Sequence, residues 1–398
     1  MRIIFVGGCP PKYLQDKVKE WGSPVDFAGY AFQSALLDGL DKVCSDVKVL
    51  TMLWIVPWPK AKKMYLTKEV FSHTGKEQKN DVFVGFVNLP FVKRLSIAWR
   101  VYKELRKEIR NGDEIVIINY SLPSYNLLPI ALLHNHFAKT CQIVPDLPAF
   151  MSENTELAYR IGKAIDSKVI NWCLKRFDCF ALLSRHMLTH LPIGNKRWIV
   201  LEGIYRPDDH KKKECGVNDS GKKIIMYSGA LGLRYGVGDM LEAFSLIVDS
   251  DFELWVCGQG NAVPMILEYA QIDSRIHYFG VLPREEVLQL QQRATLLVNP
   301  RHKEEVYTKY SFPSKTLEYL ASGTPVLMSH LESIPSEYDE HLFYFDDETP
   351  IGMSKKMVEI CKLPFDMLKE RGNLALEFVL TNKRSEVQAG RLLELIER

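Results

Sequence analysis

Residues 309–327 read KYSFPSKTLEYLASGTPVL. Pro313 suits the first position of a helix, Ser311 or Ser314 can cap its free amides, and Leu317, Leu320 and Ala321 form an apolar stripe behind them. Gly323 is a natural C-terminal stop, and an apolar run follows it. The stretch is read as loop, helix, loop, buried strand, the repeating unit of a parallel α/β sheet. Lys315 and Glu318 lie three apart on one helix face, which suits either a surface ion pair or two groups set beside a ligand.

The same grammar runs outward from there. Upstream, strands are expected at 224–228, 252–257, 276–279 and 295–299, with helices at 237–248, 263–270 and 284–293 between them. Further back, strands are expected at 2–6, 47–53, 114–119, 142–145, 179–183 and 199–201, again with helical patterns between most of them. The polar stretch YRPDDHKKKECGVNDSGKK, 205–223, has the composition of a linker and a turn. The expected architecture is α/β: two tandem Rossmann-like, doubly wound domains, 1–203 and 204–378, facing across a cleft, with a helix in 379–398 packing back on the first.

The chain has 398 residues, 46% of them hydrophobic and 25% charged, enough for two domains with their own cores and without the signature of disorder. Eight cysteines are scattered with no C-x-x-C pair, and MRIIFVGG reads as a buried strand, not a signal peptide. A reducing, cytoplasmic setting with free thiols is the expectation. No apolar run approaches the roughly 20 residues of a membrane-spanning helix.

Charge is uneven. Residues 1–190 carry 26 Lys+Arg against 18 Asp+Glu, and the remainder 25 against 31. Much of the basic excess lies in WIVPWPKAKK, 54–63, and KRLSIAWRVYKELRKEIR, 93–110. In the second, Leu95, Trp99, Tyr102, Leu105 and Ile109 recur at helical spacing beside Arg100, Lys103, Lys107 and Arg110. Two readings stand: a helix with its apolar side on the core, or peripheral contact with the anionic inner face of a membrane, aided by Trp54, Trp58, Lys60, Lys62 and Lys63. No nucleic-acid-binding motif accompanies the charge.

In doubly wound sheets ligands gather at the carboxyl ends of the strands. In the second half those ends carry SGALGLRYGVG (228–238), CGQGN (257–261), FGVLPREE (279–286) and NPRHKEEVYTKYSFPSK (299–315). Together they suit a nucleotide: glycines let amides approach phosphate, cations neutralise it, and a carboxylate takes two hydrogen bonds from a ribose diol.

These motifs, strongest over 224–330, resemble the C-terminal half of family 4 glycosyltransferases, retaining enzymes of GT-B fold that build bacterial surface polysaccharides. In the first half only Gly7–Gly8 and VPDLPAFM (144–151) look like counterparts. The resemblance implies that Glu318 binds the ribose hydroxyls as the second glutamate of a Glu-x7-Glu signature whose first position here is Tyr310. It implies that the Gly-Arg…Lys-Gly phosphate clamp is replaced by Arg234 with Lys315 or Arg301, since the clamp positions read Gly229-Ala230…Tyr235-Gly236. The implied nucleotide-sugar contacts are Gly8, Gly229, Arg234, Gly258, Gly260, Val281, Leu282, Arg301, Tyr310, Ser311, Phe312, Pro313, Ser314, Lys315 and Glu318. The implied reaction moves a sugar from a nucleotide-sugar, UDP first, to a glycan or lipid-diphosphate-linked acceptor, in capsule, exopolysaccharide or lipopolysaccharide assembly.

The chemistry follows without the family. Cleaving a sugar from a diphosphate leaves negative charge on the phosphate, so a nearby cation accelerates it, and the diphosphate oxygen can itself take the acceptor's proton. The catalytic candidates are therefore Arg234 and Lys315, with Asp146 orienting the acceptor or steadying the sugar, or else serving as a turn or helix-capping aspartate. No metal or other cofactor is expected: His134 and His136 are two apart on a helix and do not share a face, and Asp208-Asp209 and Asp346-Asp347 lack D-x-D spacing. Cys9 has no identifiable partner for thiol chemistry. A G-x-G-x-x-G dinucleotide loop is absent, because Cys-Pro-Pro follows Gly7–Gly8. A GT-B sugar-nucleotide epimerase, a nucleotide-dependent phosphorylase and a silent polysaccharide-assembly partner remain as alternatives.

Overall fold

Apolar runs covered on both faces become the central strands of two parallel sheets. In the computed structural model, which describes residues 2–75, 80–110, 112, 114–147, 157–206 and 221–398, the chain divides into two units, Met1–Ile204 with Ser385–Arg398, and Tyr205–Arg384.

The strands of the first unit are β1 (Arg2–Gly7), β2 (Val47–Thr51), β3 (Tyr65–Leu66), β4 (Glu69–Phe71), β5 (Asp81–Phe83), β6 (Phe86–Val87), β7 (Ile115–Tyr120), β8 (Lys139–Val144), β9 (Cys179–Leu182) and β10 (Arg197–Val200). Eight form one sheet in the order β10-β9-β8-β7-β1-β2-β5-β4, parallel except where β4 pairs antiparallel with β5. β3 and β6 pair separately. Helices α1 (Lys12–Glu20), α2 (Phe27–Val43), α3 (Val92–Ile109), α4 (Ser124–Leu133) and α5 (Leu157–Leu174) connect them. Strand order reverses between β1 and β7, which places the Gly7–Gly8 turn at a switch point.

The second unit has β11 (Lys223–Ala230), β12 (Phe252–Gln259), β13 (Ile276–Gly280), β14 (Leu296–Asn299), β15 (Val326–Met328) and β16 (Phe343–Tyr344), all parallel in the order β13-β12-β11-β14-β15-β16. Helices α6 (Val237–Ser245), α7 (Val263–Ile272), α8 (Arg284–Arg293), α9 (Lys315–Ala321), α10 (Pro350–Cys361) and α11 (Phe365–Asn382) cover the two faces, each over its own core. The switch point lies between β11 and β14.

Three expectations change. The return boundary at 379 falls inside α11, which stays with the second unit. The returning helix is α12 (Ser385–Glu397), whose Ala389, Leu392, Leu395 and Ile396 join Leu36, Leu37 and Leu40 of α2 in the first core. The small strands β3 to β6 were not anticipated, being too short for a periodic signal. In α3 the buried stripe is Ile97, Val101 and Leu105, while Leu95 and Trp99 face solvent. A helix carrying two apolar stripes buries only the one its tertiary neighbours meet. Within the expected linker, 207–220 lie outside the described residues, as do 148–151 of VPDLPAFM.

Candidate active site

The loops after β11 and β14 flank the second unit's switch point. Gly229 ends β11 at φ 124° and is the register partner of Gly258 in β12, at φ 135°. A side chain at Gly258 would place its Cβ 1.8 Å from the Gly229 carbonyl, and one at Gly229 would stand 2.3 Å from Lys315 Cε. Gly229 must be bare for Lys315 to lie across it, and Gly258 must be bare for the Gly229 backbone beside it.

Lys315 opens α9, and its Nζ sits 3.7 Å from the centroid of the Tyr227 ring. Burial pushes its pKa down to about 7, against the pull of Glu318 and with the help of Arg301. Among the described residues no carboxylate, Glu318 included, lies within ion-pair distance of Lys315. The surface-pair reading of these two residues is thereby set aside. Glu318 is engaged elsewhere: Gln291 Nε2 donates to its Oε1 at 2.8 Å and to Ser228 Oγ at 3.0 Å, and Arg284 Nη2 stands 3.8 Å from its Oε2. Gln291 is fully buried, and the Tyr319 hydroxyl accepts from the Ser228 amide at 2.9 Å, so the carboxylate has a rigid backing.

Arg234 and Arg301 each place their guanidinium 4.4 Å from the centroid of Tyr307, and Arg301 Nε donates to its hydroxyl at 3.3 Å. The Leu233–Tyr235 turn that carries Arg234 is pinned by Asn261, whose Oδ1 accepts from the Leu233 amide at 3.0 Å. His302, next to Arg301, reaches Asp239 of α6 at 2.6 Å and Glu348 at 3.5 Å, which ties the loop after β14 down.

The expected loop 310–314 departs from its reading in part. Ser314 occupies the N-cap position with helical angles, φ −52° and ψ −28°, and makes no side-chain cap, because a capping hydroxyl needs a non-helical backbone. Pro313 precedes the helix instead of opening it, its carbonyl accepting from the Thr316 amide at 2.9 Å. Phe312 is buried against Tyr338, so its ring serves the core. The Ser311 carbonyl accepts from Ser333 Oγ, and Tyr310 is half-buried beside it. Gly260 passes close under Leu231, whose carbonyl a Cβ there would meet at 2.1 Å. Val281 stands in solvent after the edge strand β13, and Leu282 packs onto the core.

In the first unit the Gly8 amide donates to Gln33 Oε1 at 2.8 Å, and a Cβ at Gly8 would lie 2.5 Å from the Trp54 indole. Trp54 stacks with Tyr30 at 6.4 Å and with Tyr120 at 5.9 Å. Asp146 follows β8 in the same group, where desolvation and then the charge of Asp26 hold its pKa above the usual carboxylate value. Sequence reasoning missed Tyr227, Gln291, Arg284 and Tyr307. Only Arg284 and Gln291 carried a signal, being seven apart and so on one face of α8.

Residues 222–362 match the family described as "Glycosyl transferases group 1". No curated protein matches the chain. Among solved structures, sucrose-phosphate synthase from Thermosynechococcus elongatus superposes with a TM-score of 0.66 at 13% identity, over 99% of this chain and 98% of that one. Alr3699/HepE of Anabaena in complex with UDP gives 0.65 at 11% identity, over 99% of both chains. The lipopolysaccharide outer core galactosyltransferase WaaB in its apo form gives 0.63 at 13%, again over 99% of both. The fold is GT-B. At such identities the likeness speaks for the fold alone, and with the matched segment it supports a glycosyltransferase.

Proposed function

We propose that this GT-B protein transfers a hexosyl group from a nucleoside diphosphate sugar, UDP first, to a hydroxyl of a glycan or lipid-diphosphate-linked glycan, with retention of configuration. The observation that carries the reading is in α9: a desolvated lysine amine that no carboxylate among the described residues pairs with and, one turn on, a carboxylate braced by Gln291. A diphosphate answers the first and a ribose diol the second. UDP in the Anabaena neighbour favours the uracil nucleotide. That neighbour WaaB is a lipopolysaccharide galactosyltransferase favours surface polysaccharide as the setting.

Breaking the anomeric C–O bond leaves its electron pair on the diphosphate. Lys315, with Arg301 and Arg234 around Tyr307, supplies the positive charge that stabilises it, and we read the transfer as independent of a metal ion. The acceptor oxygen bonds to the anomeric carbon on the face the leaving group vacates, and its proton passes to the departing diphosphate oxygen. We assign the acceptor to the first unit, with Asp146 orienting its hydroxyl beside Gly8.

Isothermal titration of UDP, GDP and ADP tests the donor. UDP is expected to bind tightest, and Glu318→Ala to weaken it by about 1.5–3 kcal/mol, the loss of hydrogen bonds to a charged group. Unchanged UDP affinity in Glu318→Ala would remove the ribose assignment.

A further inference from the structure

Helix α3 presents to solvent a face that no ordinary surface helix would keep. Phe91, at its N-cap with a left-handed φ of 63°, is 94% exposed, and Leu95 and Trp99 on the next two turns are 74% and 57% exposed. These three are four apart and form one stripe. Along the same outward side, further down the helix, come the exposed Lys103, Arg106, Lys107 and Arg110, and Lys103 lies 5.2 Å from the Trp99 ring centroid.

The helix has two acidic residues, and both are turned inward. Glu104 is held by Lys68 at 2.8 Å and Lys107 at 3.0 Å, and Glu108 by Lys48 at 2.8 Å and Arg2 at 3.3 Å. The outward face is thus apolar at one end, cationic at the other and without acid throughout. A second basic-aromatic stretch is stitched to its start. Asn88, three residues before Phe91, accepts from the Trp58 amide at 2.8 Å and donates through Nδ2 to the Lys63 carbonyl at 2.9 Å, which fixes the half-exposed Trp58 and the loop bearing Lys60 and Lys62.

We propose that this face of the first unit docks on an anionic lipid bilayer, with Phe91, Leu95 and Trp99 entering the headgroup region and the cations of α3 pairing with lipid phosphates. Charge complementarity selects the occupant: a neutral apolar partner would answer only half of the face, and a second copy of this chain would bring the same four cations against each other. Aromatic and basic side chains are the combination that holds a helix at an interface. The inference is independent of the transferase reading.

The full chain is sedimented with vesicles of phosphatidylcholine alone and of phosphatidylcholine with phosphatidylglycerol. Recovery with the anionic vesicles, fading with added salt, is expected, and each basic residue removed from the set should lower the partition about fivefold. Leu95→Ser with Trp99→Ser and, separately, Lys103→Glu with Arg106→Glu should each release the protein. All four positions are exposed, so the variants should fold, and an unchanged circular-dichroism spectrum and melting temperature confirm it. Equal recovery with both vesicle types at low salt overturns the proposal. So does wild-type binding by both variants, or a concentration-dependent dimer that Leu95→Ser abolishes without any vesicle binding.

Discussion

At the scale of single residues, Lys315 carries the sharpest test of the proposed donor site. Its folded pKa of about 7 lies below the ordinary lysine value near 10.4, because burial over Tyr227 and Gly229 disfavours the charge. Between those two values the unfolded chain binds more protons, so this residue's contribution to stability rises with pH across that interval and falls away toward pH 7. A diphosphate bound there, as proposed, would reverse the preference and draw a proton onto the amine. UDP affinity should therefore decline as pH rises above about 7, with proton uptake on binding, and Lys315→Met should flatten the profile. Titration in two buffers of different ionisation enthalpy reads the proton directly, and an equal pH slope in wild type and variant would sink the assignment. The identities of Lys315 and Glu318 were visible in the sequence. That one is desolvated with no ion pair among the described residues, and that Gln291 braces the other, depended on the elements packed around α9.

At the scale of elements, His73 joins three pieces of the first unit. It follows β4 and donates through Nδ1 to Asp81 of β5 at 2.7 Å and through Nε2 to Asp41 of α2 at 2.9 Å, while Asp81 also accepts from the Val49 amide of β2. Burial pulls its pKa down, but the hydrogen bonds to the two aspartates prevail and raise it to about 9. The folded value exceeds the unfolded one near 6.5, so the stabilisation is complete below about pH 6.5 and disappears as pH passes 9. Urea unfolding should show His73→Gln losing on the order of 3 kcal/mol at neutral pH and much less at pH 10. A constant difference across that range would remove the histidine from the account. None of this was legible beforehand, since Asp41 lies 32 residues before His73 and β4 and β5, which bring His73 to Asp81, are three-residue strands. The orientation of α3 was equally hidden: its sequence carries two apolar stripes, and only its tertiary neighbours, α4 and β6, chose Ile97, Val101 and Leu105.

At the scale of the whole molecule, the chain's last helix belongs to the first unit. Gln388 Nε2 donates to the Gly203 carbonyl at 3.0 Å, Arg391 to the Val200 carbonyl at 3.1 Å, and the bare Cα of Gly39 admits the Ser385 carbonyl, which a Cβ would meet at 2.0 Å. Three large buried apolar side chains of α12, Leu392, Leu395 and Ile396, each contributing about 1.5–3 kcal/mol, reach the range of a typical domain's entire stability. A chain ending at Arg384 should lose hydrogen-exchange protection in β1 and β7 and keep it in β11 and β12. Retained protection in β1 would mean that α12 only decorates the first core.

What the amino-acid order determined alone was the α/β alternation, the restart of the pattern near 224 and the loops that end the strands of the second sheet. These follow from local rules, a period of two or 3.6 and a glycine where a turn requires one, that operate within a few residues. The tertiary structure decided which of two apolar stripes is buried, which lysine is stripped of water and which carboxylate is braced. Each of those depends on the dielectric and the partners around a side chain, supplied by segments tens to hundreds of residues away.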